Sequence, residues 1–296
     1  MINKHEITEY FQSLQDHICQ ALEAADGKGK FQEDHWTRPG GGGGRSRAIV
    51  GQHIEKGGVN FSAVEGVLSD KAGKALGIAA GAFYATGVSI VLHPRNPMVP
   101  IIHMNIRYFE MSTGTYWFGG GIDLTPHYVD AEDARFFHSR LKAVCDKHSP
   151  TYYEEFKHWA DDYFYIKHRQ ETRGIGGIFF DQLGDDKGFN KKERLDFVKD
   201  VGLAFAPIYT YFMNKNGRLQ YGEREKEWQM MRRGRYVEFN LVYDRGTRFG
   251  LETNGRTESI LMSLPAQAGW EYDFEPLPNS KEARTQELLK KGINWV

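Results

Sequence analysis

The stretch that decides the fold reads Ser89-Ile-Val-Leu-His-Pro-Arg-Asn-Pro-Met-Val-Pro-Ile-Ile-His-Met-Asn-Ile-Arg107. In its second half, apolar residues alternate with His103, Asn105 and Arg107, which is the period of a β-strand. Its centre is rich in proline and asparagine, which favour turns. The stretch therefore predicts two neighbouring strands. One face of the second strand packs in the core, and the other presents a row of hydrogen-bond donors.

Several polar residues lie inside otherwise apolar, strand-like segments, namely His93, His103, Asn105, Arg107 and Asp123. A polar side chain in such a segment costs free energy unless it has partners or a function. The guanidinium of Arg107 can hold a carboxylate through two parallel hydrogen bonds, so this face suits an acidic substrate. Two alternatives stay open at this point: a structural ion pair for Arg107 and a turn-capping role for Asp123.

Composition limits the classes of function. The chain has 296 residues, of which 40% are hydrophobic, enough to bury the core of one large domain. It carries 38 Lys and Arg against 39 Asp and Glu, so no general positive field attracts nucleic acid. Cys19 and Cys145 are the only cysteines and lie far apart, which argues against a disulfide framework and fits a reducing compartment.

The sequence also argues against a membrane protein. Its longest apolar runs are well short of the ~20 residues that a transmembrane helix needs. Acidic residues such as Glu6, Glu9 and Asp16 occupy the N-terminal segment, which is unlike a mitochondrial presequence. We expect a cytoplasmic protein without a transmembrane segment.

Hydrophobic spacing predicts runs of strands and helices. Helices are expected over residues 1–27, from about 130 to 144, and over 152–168, 190–212 and 223–233, and strands over 60–110 and 236–244. The glycine run at 40–44 is expected to be a flexible loop, and it lacks the Lys and Ser or Thr of a phosphate-binding loop. Because no repeat or linker is visible, we predict a single α+β domain spanning 1–296, with a largely antiparallel sheet covered by helices.

Longer phrases of the sequence resemble the oxygen-dependent coproporphyrinogen III oxidase family. They occur in order as FYATGVS at 83–89, HMNIRYFE at 103–110, WFGGG at 117–121, RGIGGIFFD at 173–181 and GRTESILMS at 255–263. The resemblance runs from about Phe31 to the C-terminal Asn-Trp-Val. It implies a broad, mostly antiparallel sheet flanked by helices on both faces, with a cavity between the layers. It also implies a homodimer whose contact involves residues 236–270.

The same resemblance implies an activity. Members of the family oxidatively decarboxylate the ring A and ring B propionates of coproporphyrinogen III to vinyl groups. The products are protoporphyrinogen IX, CO2 and H2O2, in heme biosynthesis. Molecular oxygen is the co-substrate, and no cofactor is expected. An electron-rich pyrrole reacts with oxygen itself, so the protein supplies orientation and electrostatics.

The resemblance places substrate binding and catalysis on the strand face that carries His103, Asn105 and Arg107. Asp123 is expected to accept hydrogen bonds from pyrrole N–H groups and to stabilise or remove a proton. His103, whose ordinary pKa is near neutrality, suits proton donation, with Arg107 beside it. The substrate-binding residues implied are Ser89, Asn105, Ile106, Arg107, Asn254, Gly255 and Arg256. Residue 254 is asparagine where the family usually has glycine, but asparagine tolerates the same left-handed backbone.

Four histidines match positions once considered for a divalent metal in the family: His93, His103, His138 and His168. Their spacing is unlike a tight metal motif, so no metal site is expected, and His138 and His168 are expected to be structural residues on helices. Two alternatives stay open. One is a metal-dependent oxygenase that uses these histidines, and the other is a non-catalytic tetrapyrrole carrier that has no need of Asp123.

Overall fold

The computed structural model describes residues 2–68, 73, 79–186, 188–252 and 255–296, with the backbone alone at residue 249. The strands are β1 Gln32–Thr37, β2 Gly42–Ile49, β3 Ile54–Leu68, β4 Gly81–Pro94, β5 Ile101–Met111, β6 Tyr116–Thr125, β7 Tyr165–Ile166, β8 Glu171–Thr172 and β9 Gly177–Leu183. The helices are α1 Lys4–Asp26, α2 Ala131–Asp146, α3 Tyr152–Tyr163, α4 Lys191–Asn216, α5 Glu223–Val242, α6 Arg245–Glu252, α7 Thr257–Leu261 and α8 Lys281–Leu288.

The main sheet has the strand order β1-β2-β3-β4-β5-β6-β9, and its neighbouring strands are antiparallel. Consecutive strands are neighbours from β1 to β6, and β9 joins the edge after the chain has formed α2 and α3. The two strands predicted from the opening stretch are β4 and β5, in which Ser89 lies opposite Asn105. This architecture confirms the α+β class and the antiparallel sheet.

One face of the sheet packs on α1 and α4. Among the apolar side chains of β5, Met104 and Ile106 are fully buried there. Contact is close, because a Cβ added at Gly202 of α4 would lie 2.6 Å from Cδ2 of Leu14 and 3.0 Å from Cδ1 of Ile106. The helix predicted at the N-terminus is α1, and its buried apolar side chains complete this core: Ile7, Phe11, Leu14, Ile18 and Leu22.

The ends of α1 follow from its sequence. Asn3 caps the first turn and Glu6 reaches back to the Asn3 backbone, which is a capping box. Gly27, at φ 80°, ends the helix in the left-handed conformation that glycine adopts without strain. The buried carboxylate of Asp26 accepts four backbone N–H groups from residues 29, 52, 53 and 54, at 2.7 to 2.9 Å. It ties α1 to the turn between β2 and β3.

The opposite face of the sheet is covered by α5 and by the segment after α7. Tyr236 of α5 packs with Val91 and Ile101 of the sheet. Met262, just after α7, lies so close to β3 that a Cβ added at Gly58 would be 1.8 Å from its sulfur. Helices therefore flank both faces, as predicted.

The glycine run at 40–44 is not a flexible loop, and that prediction is wrong. Its second half begins β2, which pairs with β1 on one side and β3 on the other. Glycine is needed because the strands approach closely: a Cβ at Gly44 would lie 2.4 Å from the Trp36 ring. Backbone pairing on both sides offsets the conformational freedom that glycine loses.

The strand predicted at 236–244 is also wrong, because α5 continues through Val242. Tyr236, Phe239 and Asn240 are buried at helical spacing, so packing of one helical face decides the structure here. The helix predicted over 152–168 is shorter than expected and ends at Tyr163, which leaves His168 in the turn between β7 and β8 rather than on a helix.

Two further predictions concern the environment of the chain. Within the described ranges, no helix is both long enough and apolar enough to cross a membrane. Cys19 and Cys145 are buried free thiols, as their separation in the sequence predicted.

Candidate active site

A row of polar side chains crosses the sheet on the face opposite α1 and α4. Strand register places Asn60, Ser89 and Asn105 side by side on β3, β4 and β5. All three are half-buried. Because alternate residues of a strand share a face, His103 and Arg107 point to the same side as Asn105. We call this surface, with Asn60, Ser89, His103, Asn105 and Arg107, the polar face.

Arg107 is held at one end of the polar face. Its Nη1 donates to Oδ1 of Asn105 over 3.0 Å, and its Nη2 lies 2.9 Å from Oδ2 of Asp181 on β9. Gly119 allows this ion pair, since a Cβ there would be 2.3 Å from the Asp181 carboxylate. The Arg107 side chain is still 37% exposed, so part of its guanidinium is open to an anion.

Asp123 lies on β6 opposite His103, and both of its carboxylate oxygens are bonded. Oδ1 is 2.7 Å from Nδ1 of His103, and Oδ2 accepts a hydrogen bond of 2.6 Å from Nη2 of Arg173. Burial alone would raise the pKa of Asp123, but the Arg173 charge and the hydrogen bond from His103 outweigh it and lower the pKa. Asp123 is therefore an ionised carboxylate between two donors.

Arg173 is buried against three aromatic rings. Its guanidinium carbon lies 4.4 Å, 4.5 Å and 4.7 Å from the ring centroids of Phe164, Tyr236 and Phe239. Its Nη1 donates to Oδ1 of Asn240 over 2.7 Å. Aromatic stacking suits a guanidinium removed from water. Arg173 is thus fixed in place, and it fixes Asp123 in turn.

The orientation expected for Asp123 differs from the one observed. We expected its carboxylate to face the pyrrole N–H groups of a substrate, but the side chain is only 2% exposed and both oxygens are engaged. His103, at 23% exposure, is the member of the pair that reaches the polar face. In this arrangement Asp123 orients His103 and balances the charge of Arg173.

Arg173 and Asp181 were given no role by the sequence reasoning, although both lie in a phrase that it singled out. The signal in the sequence is the glycine pattern before β9. A Cβ at Gly174 would lie 2.2 Å from the Leu124 carbonyl oxygen, so this segment runs directly against β6. Glycines can predict such a close approach, but they do not identify which side chains meet there.

The turn before α7 brings Arg256 to the other end of the same sheet surface. Arg256 pairs with Asp34, and its Nη1 is 3.4 Å from Oγ of Ser46. Register aligns Ser46 with Asn60, so Arg256 lies over the same row of positions as the polar face. The N–H of Gly255 donates to the Gly250 carbonyl over 2.8 Å. The predicted contact Asn254 lies outside the described residues.

Ile106 lies on the opposite side of β5 from its neighbours Asn105 and Arg107. Its side chain is fully buried in the core that α1 and α4 cover. Only its backbone borders the polar face, so the structure does not place the Ile106 side chain among residues that could contact a substrate there.

The histidines considered for a metal do not come together. Burial lowers the pKa of His93 and of His138 to about 3, so both are neutral near pH 7. Among the described residues, no group of three or more His, Cys, Asp or Glu side chains is placed to hold a metal ion. The hydrogen-bond partners are Ser263 for His93, Tyr153 and Ile175 for His138, Asp123 for His103, and Tyr243 and Glu238 for His168.

Comparison with known proteins identifies the family of the chain. The family model described as coproporphyrinogen III oxidase matches residues 6–295. The oxygen-dependent coproporphyrinogen-III oxidase of Drosophila melanogaster is 49% identical over 99% of this chain and 78% of its own length. The protein of the same name from Coxiella burnetii is 48% identical over 99% of this chain and 97% of its own. The chloroplastic oxygen-dependent coproporphyrinogen-III oxidase of Glycine max is 49% identical over 95% of this chain and 77% of its own length. The chain therefore belongs to the coproporphyrinogen III oxidase family.

Proposed function

We propose that this chain catalyses the oxygen-dependent oxidative decarboxylation of coproporphyrinogen III to protoporphyrinogen IX, in heme biosynthesis. The observation that carries the proposal is the polar face, which has Arg107 bonded to Asn105 toward one end and His103 bonded to the Asp123–Arg173 pair toward the other. Relatives that carry the name of this activity span nearly the whole chain and support the same assignment.

The substrate of that reaction is a wide tetracarboxylate, and the sheet surface has charges spaced to hold it. Arg107 lies on β5, and Arg256 contacts Ser46 on β2. These two strands are three positions apart in the sheet, which corresponds to about 14 Å at the usual spacing between strands. Each arginine is partly exposed and paired with one surface carboxylate, Asp181 or Asp34. A substrate propionate can join or replace that carboxylate, because guanidinium groups bind carboxylates bidentately.

The chemistry needs one proton for each propionate. Loss of CO2 and of a hydride equivalent turns the propionate side chain into a vinyl group, and O2 takes up the hydride and a proton to give H2O2. His103 supplies this proton, since its Nδ1 is held by Asp123 and its Nε2 is the nitrogen left to the polar face. The hydrogen bond from Nδ1 to Asp123 fixes the orientation of the imidazole.

We infer that molecular oxygen is the only oxidant and that no metal or prosthetic group takes part. A reduced pyrrole is electron-rich enough to react with oxygen once it is oriented and polarised. The ring nitrogens of His138 and His168 are already bonded within the fold, which supports structural roles for both. Turnover by chelator-treated protein, with metal content assayed on the same sample, tests this inference. Activity restored by one specific ion would contradict it.

The main test is turnover of coproporphyrinogen III with and without oxygen. We expect oxygen-dependent protoporphyrinogen formation by the wild type, a large loss in Arg107→Ala, and normal rates in Arg218→Ala, which removes an exposed arginine far along the chain from the site. Near-normal rates in Arg107→Ala would contradict the proposed role of Arg107 in this reaction. Substrate binding without oxygen consumption would favour the carrier.

We also propose that the chain is a homodimer and that residues 236–270 contribute to the contact. This segment leaves large apolar side chains in solvent in the single chain: Leu241 at 47%, Val242 at 51%, Leu251 at 40% and Trp270 at 54% exposure. Sedimentation of the wild type and of Leu241→Glu tests the proposal, with Leu203→Glu on α4 as the matched control, since Leu203 is 45% exposed. A wild type that sediments as a monomer at micromolar concentration would contradict it.

We propose a cytoplasmic location, which two buried free thiols support. The Glycine max and Arabidopsis thaliana relatives are named chloroplastic, so location varies among relatives. Cell fractionation with an antibody to the native protein tests it, and recovery in an organelle fraction would contradict it.

A further inference from the structure

The chain after α8 packs against the loop that carries Arg173. We call residues 289–296 the C-terminal segment and residues 172–176 the arginine loop. The carbonyl of Leu289, a fully buried residue, accepts a hydrogen bond of 2.9 Å from the N–H of Thr172. Thr172 directly precedes Arg173, so the C-terminal segment fixes the backbone on one side of this buried arginine.

The backbone on the other side of Arg173 is fixed to β6. The N–H of Ile175 donates to the Leu124 carbonyl, and the N–H of Leu124 donates to the Gly176 carbonyl, both over 3.0 Å. Leu124 directly follows Asp123, whose Oδ2 accepts from Nη2 of Arg173 over 2.6 Å. The arginine loop must keep this place against β6 for Arg173 to reach Asp123.

The C-terminal segment is itself anchored on α3. The N–H of Gly292 donates to Oδ2 of Asp161 over 2.8 Å, and Nζ of Lys291 donates to Oδ1 of Asp162 over 2.7 Å. The Asp161 carboxylate is buried and also lies against the arginine loop, since a Cβ added at Gly176 would be 2.9 Å from its Oδ1. Asp161 therefore ties the segment and the loop to the same helix.

Trp295 packs on a histidine that bonds the arginine loop. The Trp295 and His138 rings lie at 21° to each other, with their centroids 6.2 Å apart. Burial lowers the pKa of His138 to about 3, so its imidazole is neutral. Nε2 of His138 lies 2.9 Å from the Ile175 carbonyl, which only accepts, so Nε2 carries the proton. Nδ1 then accepts from the Tyr153 hydroxyl over 2.9 Å, and both bonds fix the ring on which Trp295 packs.

We propose that the C-terminal segment positions the active site, with Trp295 as a positioning residue. The segment holds the arginine loop where Arg173 bonds Asp123, and Asp123 in turn orients His103. This inference rests on the proposed function, in which His103 donates the proton. It does not require any residue of the segment to touch the substrate.

This arrangement predicts a change in kcat rather than in KM. The substrate-binding Arg107 is held by Asn105 on β5 and Asp181 on β9, and neither partner lies in the arginine loop. Loosening the loop misplaces the proton donor without removing a contact to the substrate, so kcat falls while KM stays. A purely structural role of Trp295 would lower the amount of folded protein and leave the kcat of each folded molecule unchanged.

Trp295→Ala in the full chain tests the proposal. We expect kcat per folded molecule to fall roughly tenfold or more, with KM within about twofold of the wild type. Trp295→Phe keeps a flat ring and should retain most of the kcat. Lys290→Ala changes an exposed residue of the same segment and should match the wild type in both constants.

The ¹⁵N signal of Nδ1 in His103 gives a measurement that needs no turnover. The full chain is labelled with ¹⁵N-histidine, and the signal is assigned with His103→Gln. Because Nδ1 is bonded to Asp123, we expect Trp295→Ala to shift this signal and Lys290→Ala to leave it in place. A wild type that does not turn over coproporphyrinogen III would contradict the proposed function, while this signal would still test the positioning.

Trp295→Leu keeps the test decisive if Trp295→Ala folds poorly, because leucine keeps much of the apolar volume and loses only the flat ring. It should lower kcat and shift the His103 signal in the same direction. A Trp295→Leu variant that matches Lys290→Ala in kcat and in the His103 signal would overturn the proposal. A loss of activity that appears only as a higher KM would also overturn it.

Discussion

Nδ1 of His103 lies 2.7 Å from Oδ1 of Asp123, and this contact joins an imidazole at the polar face to a carboxylate inside the protein. The other oxygen of Asp123 accepts from the buried guanidinium of Arg173. The Asp123 carboxylate thus orients the proposed proton donor His103 and also balances the charge of the buried Arg173. A change in its charge affects catalysis and stability together.

Asp123→Asn should therefore lower both activity and stability. Without the negative charge, Arg173 is left as a buried cation, which costs about 3–5 kcal/mol in the free energy of unfolding. The asparagine side chain has one acceptor oxygen for the two donors His103 and Arg173, so the orientation of His103 is no longer fixed. Turnover should fall by roughly 10²- to 10⁴-fold, the usual contribution of general acid–base catalysis. Urea unfolding and steady-state turnover measure the two effects.

The double variant Asp123→Asn with Arg173→Gln is the control for that interpretation. It removes both charges, so it should regain part of the stability lost in Asp123→Asn but none of the activity. If the single variant unfolds at the same urea concentration as the wild type, the ion pair does not have the structural role assigned to it.

Gly119→Ala should weaken substrate binding without unfolding the protein. The new Cβ would lie 2.3 Å from Oδ1 of Asp181 and 2.8 Å from Nη2 of Arg107, so the ion pair must open and Arg107 must move. The displaced Arg107 would lose a charge-assisted hydrogen bond to the substrate, which corresponds to about 1.5–3 kcal/mol, and we expect KM to rise by roughly 10- to 100-fold. Gly40→Ala, where a Cβ has its nearest neighbour at 3.7 Å, should leave KM unchanged. Equal KM values for the two variants would refute the role of the Arg107–Asp181 pair.

Asp34→Asn tests whether Arg256 binds a substrate propionate or only holds α7 over the sheet. If Arg256 binds a propionate, Asp34 competes with the substrate for the guanidinium, and Asp34→Asn should lower KM about threefold, as expected for a surface ion pair. Arg256→Ala should raise KM. A higher KM in both variants would show that the pair serves only to hold α7 over the sheet.

Asp26→Asn should reveal a pH-dependent contribution to stability. Burial works to raise the pKa of Asp26, but four backbone N–H donors outweigh it and hold the pKa below its ordinary value of 3.8. Because the folded-state pKa is depressed, the contribution is complete above about pH 4 and is lost as the pH falls through the folded-state value. We expect Asp26→Asn to cost about 2–4 kcal/mol at pH 7, since hydrogen bonds to a charged group are lost.

Urea unfolding of wild type and Asp26→Asn at pH 7, 5, 4 and 3 measures that contribution. The difference between them should be constant down to pH 5 and should narrow below pH 4. Asp16→Asn, an exposed position on the same helix, should show a much smaller difference at every pH. A difference that stays constant down to pH 3 would contradict a depressed pKa of Asp26.

Much of the fold could be predicted because local patterns and packing agree. The alternation around His103 and Arg107 placed β5 and its polar face, and the spacing from Ile7 to Leu22 placed α1. Prediction was wrong at the glycine run, where pairing on both sides makes a strand from residues that disfavour one. It was also wrong at 236–242, because the burial of one helical face outweighs the strand-like alternation of polar residues.

The candidate site could be predicted only in part, and the reason is its topology. His103, Asn105, Arg107 and Asp123 come from adjacent strands, so a local pattern was enough to bring them together. Arg173 and Asp181 arrive from a distant segment, and no spacing in the sequence states that they bond Asp123 and Arg107.

The order of the strands has a consequence for assembly of the site. The strands from β1 to β6 follow one another in sequence and in space, so they can pair through short-range contacts. Joining β9 to β6 instead closes a loop of about fifty residues, which costs more chain entropy. Ser89, Asn105, Arg107 and Asp123 can thus take their places early, while Arg173 and Asp181 arrive only with that closure. In a chain that has not yet joined β9 to β6, Arg107 lacks its partner Asp181 and Asp123 lacks its partner Arg173. We expect the capacity for turnover to appear at the last stage of folding, in step with docking of the edge strand.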